Sequence, residues 1–170
     1  MGLPRKGGVA FGERVDIPDW PDQSRTYLTR WILFRCPWFA IYLHCIRMPD
    51  ADRHLHDHPW SFVSIVLRGG YDEQRPRRNL WPAEVAEVEP RQLPYKRLQI
   101  PCRTVRRGWL SVARRKATDL HRVLNLHRVP TWTLLFVSGR TRDWGFVTQD
   151  RGWVDHETYF HPKSREQVGT

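Results

Sequence analysis

Apolar positions along the chain cluster in short runs. Tyr27–Phe34, Trp38–Met48, Phe62–Leu67 and Thr131–Val137 are rich in aromatic and β-branched residues. Runs of this length, bounded by turn residues, read as strands. Asp19–Arg25 precedes the first as turn punctuation, and Arg35–Pro37 joins the first two as a hairpin. Gly108–Ala113 adds a further strand, and Asp143–Val147 and Gly152–Val154 close the core with large aromatics. Gly69-Gly70 reads as a tight two-residue hairpin turn, with Tyr71–Gln74 as the return strand. Pro82, Pro90, Pro94 and Pro101 interrupt residues 81–107, where Glu84–Val88 and Tyr95–Ile100 read as short strands or a long loop. No segment of helical period outweighs the strand signals. The pattern predicts an all-β sandwich or barrel.

Just before the strand Phe62–Leu67, three histidines occupy alternate positions: His54, His56 and His58. Alternate side chains of an extended strand leave the same face. Neutral imidazoles converging on one point are useful chiefly around a metal ion. The competing reading is a histidine-rich loop with no ligand. His44, within Trp38–Met48, reads as a partly buried, satisfied histidine. Asp57, between the imidazoles, is expected to point away from them.

Length and charge narrow the picture. The chain has 170 residues, enough for one domain with a real core, and 40% are hydrophobic. No apolar run approaches the roughly 20 residues that a membrane-spanning helix needs. The N-terminus lacks the apolar core of a signal peptide. Cys36, Cys45 and Cys102 are odd in number and widely spaced, which points away from disulfides and toward a reducing cytoplasm. Net charge is +10, and 24 of the 28 basic residues are arginine. Such a charge attracts nucleic acid, so a nucleic-acid partner is one expectation. An arginine bias set by genome composition is the other reading.

The motif His56-Asp57-His58 with Gly69 resembles the first motif of the cupin superfamily. His121-Arg122-Val123-Leu124-Asn125 is similar to the end of the second. The order of Tyr42-Leu43-His44, His56–Trp60, Gly69–Glu73, His121–Val123, Thr131–Leu134 and Trp144–Phe146 also resembles a group of small phage and bacterial cupins, over most of residues 27–160. The resemblance implies an all-β, single-domain, cupin-like jelly-roll β-barrel over 26–160. An irregular N-terminal arm over 1–25 precedes it, and a tail over 161–170 follows. Carried over position by position, it makes His56, His58 and His121 ligands of one divalent metal. It also implies a homodimer paired through exposed strands. Two departures stand out. The cupin glutamate expected after the second histidine is replaced by Phe62 or Val63, and the Pro-x-Gly before the second-motif histidine is absent.

Other residues are candidates to replace the missing carboxylate. If Gly69-Gly70 is a hairpin turn, Glu73 lies beside Val66, on the order of 26 Å from His58 at about 3.3 Å per residue, and reads as a cross-strand or turn-side charge. Asp119 shares a strand face with His121 and could ligate directly or orient a histidine. His54 has the parity of a fourth ligand. Tyr71, Trp60 and Arg122 are candidate pocket walls. A three-histidine site leaves coordination positions open, as catalytic metals do. Imidazole donors favour a transition metal, with iron(II) first and manganese, nickel and zinc compatible. The functions expected are an iron(II)-type oxygenase acting on a small polar or modified substrate, or a cupin module that binds a small molecule or metal without turnover.

Overall fold

The computed structural model describes residues 9–19, 22–50, 54–78, 100–149 and 151–161. They form twelve strands and one short helix. β1 (Glu13–Pro18), β2 (Thr26–Arg35), β3 (Phe39–Ile46), β5 (Phe62–Arg68), β8 (Val112–Arg115) and β10 (Thr131–Ser138) make one antiparallel sheet in the order β1-β2-β3-β10-β5-β8. β4 (Leu55–His56), β11 (Gly145–Thr148) and β12 (Gly152–Asp155) make a second, ordered β12-β11-β4. β6 (Tyr71–Pro76), β7 (Cys102–Arg107) and β9 (Arg122–Leu126) make a third, ordered β7-β6-β9. A bridge between His56 and His121 joins the second and third sheets edge to edge. The helix α1 (His156–Phe160) follows β12 and is capped by Asp155, whose carboxylate accepts from Thr158 N.

The long strands form where the apolar runs predict them. On β5, Phe62, Ser64 and Val66 are buried, while Leu67 and Arg68 are exposed. Across the large sheet, Val66 lies opposite Thr133, Thr133 opposite His44, and His44 opposite Arg30. That row of side chains shares the inner face. One core cluster gathers Ile32, Ala40, Tyr42, Phe62 and Val137. Another, Val66 with Tyr71 and Val123, ties the large sheet to β6 and β9. A third, Leu55, Leu120 and Val147, fills the far end.

Two expectations change. Residues 13–18, read as part of an irregular arm, form the edge strand β1. Their composition is polar, but Val15 packs on the core and Thr29 Oγ1 donates to Asp16 at 2.6 Å. Gly69-Gly70 is not a hairpin turn. β5 lies between β10 and β8, whereas β6 lies between β7 and β9, so the glycines carry the chain from one layer to the other. Both have positive φ, +79° and +148°. A Cβ on Gly70 would stand 2.4 Å from the Arg107 carbonyl oxygen, and one on Gly69 2.6 Å from Thr131 Oγ1. The crossing therefore needs glycine at both positions. The strands expected over 84–88 and 95–100 lie outside the described residues, except for Ile100, which is not in a strand.

Candidate metal centre

Two distant segments meet through backbone hydrogen bonds. His56 N donates to His121 O and His121 N donates to His56 O, both at 3.0 Å. In an antiparallel pair, directly opposed residues send their side chains to the same face. His58 N donates to the Ala117 carbonyl at 3.0 Å and keeps the segment against the loop before His121. The result is three imidazoles whose ligand nitrogens all lie within 4.8 Å of one another. His58 Nε2 and His121 Nε2 are 2.7 Å apart.

Asp57 fixes the parity. It points opposite to the imidazoles and is fully buried. Its carboxylate accepts from Gly145 N at 2.7 Å, from Trp153 Nε1 at 3.1 Å and from Arg142. Burial raises its pKa, and these donors, Arg142 first among them, pull against that. A one-residue slip of β4 would put this carboxylate inside and the imidazoles outside.

The walls are aromatic. Phe62 stands 4.9 Å from the His58 ring and 6.0 Å from that of His121. Phe146 and Trp144 flank His56 at 5.5 and 6.3 Å. Burial depresses the His58 pKa well below the ordinary histidine value, and the neighbouring imidazoles of His121 and His56 add to it. Arg30 and His44 lower it further. Such an imidazole is neutral, the form that ligates.

Behind His121 sits Glu73, the carboxylate that hairpin geometry had placed far away. His121 Nδ1 lies 3.0 Å from Glu73 Oε1. Arg115 binds the same carboxylate through Nε at 3.1 Å and Nη2 at 2.5 Å, and Arg107 Nε adds a contact at 3.0 Å. Glu73 is 1% exposed and Arg115 4%. Burial alone would raise the Glu73 pKa, but His121 and Arg115 outweigh it and hold the carboxyl well below the usual range. The interlayer crossing explains the placement. β6 faces β9, Glu73 opposes Val123, and His121 is the diagonal neighbour on the same face. A carboxylate on one ring nitrogen fixes the tautomer and leaves the other nitrogen, Nε2, for a metal.

The remaining candidates fall elsewhere. His54 Nδ1 lies 3.0 Å from the Tyr159 hydroxyl, outside the cluster, because β4 is regular only from Leu55. Asp119 closes the turn from Lys116, accepting from Lys116 N at 3.1 Å, and is 3.9 Å from Arg75. Arg122 alternates with His121 and so lies on the other face, where its Nε donates to Gln74 Oε1 at 2.6 Å. Tyr71 is buried against Val66 and Val123, and its pKa is pushed up to about 12 by burial and then by Glu73. Trp60 faces the interior beside Tyr42, at 6.1 Å. Sequence reasoning passed over Arg115, Arg30, Phe146 and Trp144, whose roles depend on cross-layer contacts with no local signature.

The donor set fits a transition metal: three imidazoles at one point, one neutral by burial, one aligned by a carboxylate. No protein-family model and no curated protein matches the chain. Solved structures do. A cupin-2 domain, Rru_A2000 from Rhodospirillum rubrum, matches with a TM-score of 0.51 and 11% identity, over 88% of this chain and 82% of that one. HEPD from Streptomyces albus, with 2-hydroxyethylphosphonate and Fe(II) bound, matches at TM-score 0.49 and 13% identity, over 76% of this chain and 24% of that one. Fe(II)-HppE with an alternative substrate matches at TM-score 0.47 and 11% identity, over 74% of this chain. This chain spans only 56% of that HppE chain. From the strand order and the likeness to the cupin-2 domain, the chain has the all-β jelly-roll fold of the cupins.

Proposed function

We propose that the protein is a metal-dependent cupin enzyme, an iron(II)-type oxygenase acting on a small polar substrate. The observation that carries the reading is the three-imidazole cluster in an aromatic-walled interior, with Glu73 behind His121. His56, His58 and His121 would hold the ion. Three neutral ligands leave its positive charge undiminished and coordination positions open, so it supplies a Lewis-acid and redox centre. Iron(II) is the compatible ion that pairs such positions with oxygen chemistry; manganese, nickel and zinc suit the same donors.

The chain's own residues do the rest. Glu73 keeps the His121 ring oriented. Phe62, Phe146 and Trp144 give the half-buried imidazoles an apolar flank, which strengthens the electrostatic contacts on that side. The test is metal analysis of the purified protein, followed by oxygen uptake of the iron-loaded form across a panel of small polar compounds. One transition metal per chain, lost in His56→Ala and His121→Ala, together with substrate-dependent oxygen uptake, is expected. Metal binding without uptake on any compound leaves a binding module, and no metal after reconstitution removes the reading altogether.

A further inference from the structure

Arg30 is a half-buried cation with no carboxylate partner among the described residues. It projects from β2 on the inner face, in the row with His44, Thr133 and Val66. Its Nε donates to His44 Nε2 at 2.9 Å. Its guanidinium carbon lies 4.7 Å from the Tyr42 ring centroid and 5.9 Å from that of Trp60. Among the described residues no carboxylate pairs with it, and neither Nη has a hydrogen-bond acceptor. Aromatic faces attract a guanidinium, but they offer its Nη groups no hydrogen-bond acceptor of carboxylate strength.

Arg115, another inward arginine, makes the contrast. Arg115 is spent on Glu73 through two nitrogens. Arg30 is held in place, by His44 on one side and Tyr42 on the other, with its outer fork left over. His44 itself is buried, and burial and then Arg30 keep it neutral, so it acts as an acceptor and brings no second positive charge. Trp60, 5.9 Å from the guanidinium carbon, packs on the cluster that holds Tyr42 and Phe62, and the Phe62 ring stands 4.9 Å from that of His58. Arg30 is therefore on the same side of the interior as the metal centre.

We infer that Arg30, positioned by His44, is an anion subsite that takes the carboxylate of a small organic acid. Nε is already engaged, and the two Nη groups present the planar fork that a carboxylate fills with two parallel hydrogen bonds. Tyr42 and Trp60 wall the subsite and would flank the body of the acid. The inference names the substrate class of the proposed enzyme and rests on that reading only for the acid's other end, which faces the metal.

The test uses the full chain loaded with zinc, a redox-silent probe, and the same chain without metal. Acetate and benzoate are titrated calorimetrically, with acetamide and benzamide as uncharged matches. The carboxylates bind and the amides bind at least tenfold more weakly. Arg30→Gln loses at least tenfold in carboxylate affinity with zinc content unchanged, and Arg30→Lys falls between, since a point charge lacks the fork. Equal binding of acid and amide, no acid binding, or an Arg30→Gln variant that binds acid as wild type does overturns the inference. Carboxylate binding that needs Arg30 in a chain that takes up no metal keeps the subsite and removes the metal reading. Zinc uptake without acid binding does the reverse.

Discussion

Replacing Glu73 by glutamine separates the two jobs of that carboxylate. The side chain keeps its shape and loses its charge. In the metal-free protein the change strands Arg115, which is 4% exposed and bonded to Glu73 through two nitrogens. Removing one partner of a buried ion pair costs about 3–5 kcal/mol, and the retained amide oxygen puts Glu73→Gln at the low end, about 3 kcal/mol. At the metal, loss of the carboxylate behind a ligating histidine weakens affinity about 10–100-fold. That corresponds to about 1.4–2.8 kcal/mol. Urea unfolding of the metal-free protein reads the first effect, and zinc competition with a chromophoric chelator reads the second. Adding Arg115→Met discriminates between them. The double variant removes the stranded cation and regains most of the stability, while its zinc affinity stays as low as in Glu73→Gln. Wild-type zinc affinity in Glu73→Gln, or recovery of zinc affinity along with stability in the double variant, would refute the reading of Glu73 as the residue that orients His121.

Further variants probe the frame around the site. His121→Ala abolishes stoichiometric zinc binding, whereas His54→Ala leaves it intact, because His54 is engaged with Tyr159; equal loss in both would place His54 among the ligands. Asp57→Asn removes the charge that holds Arg142, Gly145 N and Trp153, and lowers unfolding free energy by about 2–4 kcal/mol. A loss under about 0.5 kcal/mol, the range of an ordinary surface substitution, would show that β4 is anchored otherwise. His44 has its folded pKa depressed below 6.5 by burial and Arg30. The unfolded chain therefore takes up a proton first as pH falls, so His44 contributes stability above pH about 6.5 that is lost below it, with a limiting slope of about 1.4 kcal/mol per pH unit. His44→Gln flattens the stability curve between pH 6.5 and 5 relative to wild type; parallel curves would count against a neutral buried His44.

Much of this fold lies in the apolar runs themselves. Residues 26–35, 39–46, 62–68 and 131–138 are rich in aromatic and β-branched side chains, and the hairpin between β2 and β3 follows from Arg35–Pro37. The convergence of His56 and His58 also follows from parity, and Asp57 pointing away follows from the same rule. What alternation does not contain is which layer a strand joins. Gly69-Gly70 between two strands has the composition of a hairpin turn, and only the contacts with Thr131 and Arg107 make it a crossing. Glu73 was misplaced for that reason alone, since its distance from His58 was counted along a pairing that does not exist. Arg30 gave no signal because an arginine in a strand is ordinarily exposed. β1 was hidden by its polar composition, since an edge strand gains its place from a neighbour's backbone more than from its own side chains.

An anomalous-scattering map of a crystal grown with the protein's native metal bears most directly on the site. A single strong transition-metal peak is expected, within about 2.0–2.2 Å of nitrogens from His56, His58 and His121. Glu73 should lie one step behind, on His121 Nδ1. A peak coordinated by Glu73 or Asp119 in place of one of those imidazoles, or no peak between the sheets at all, would contradict it.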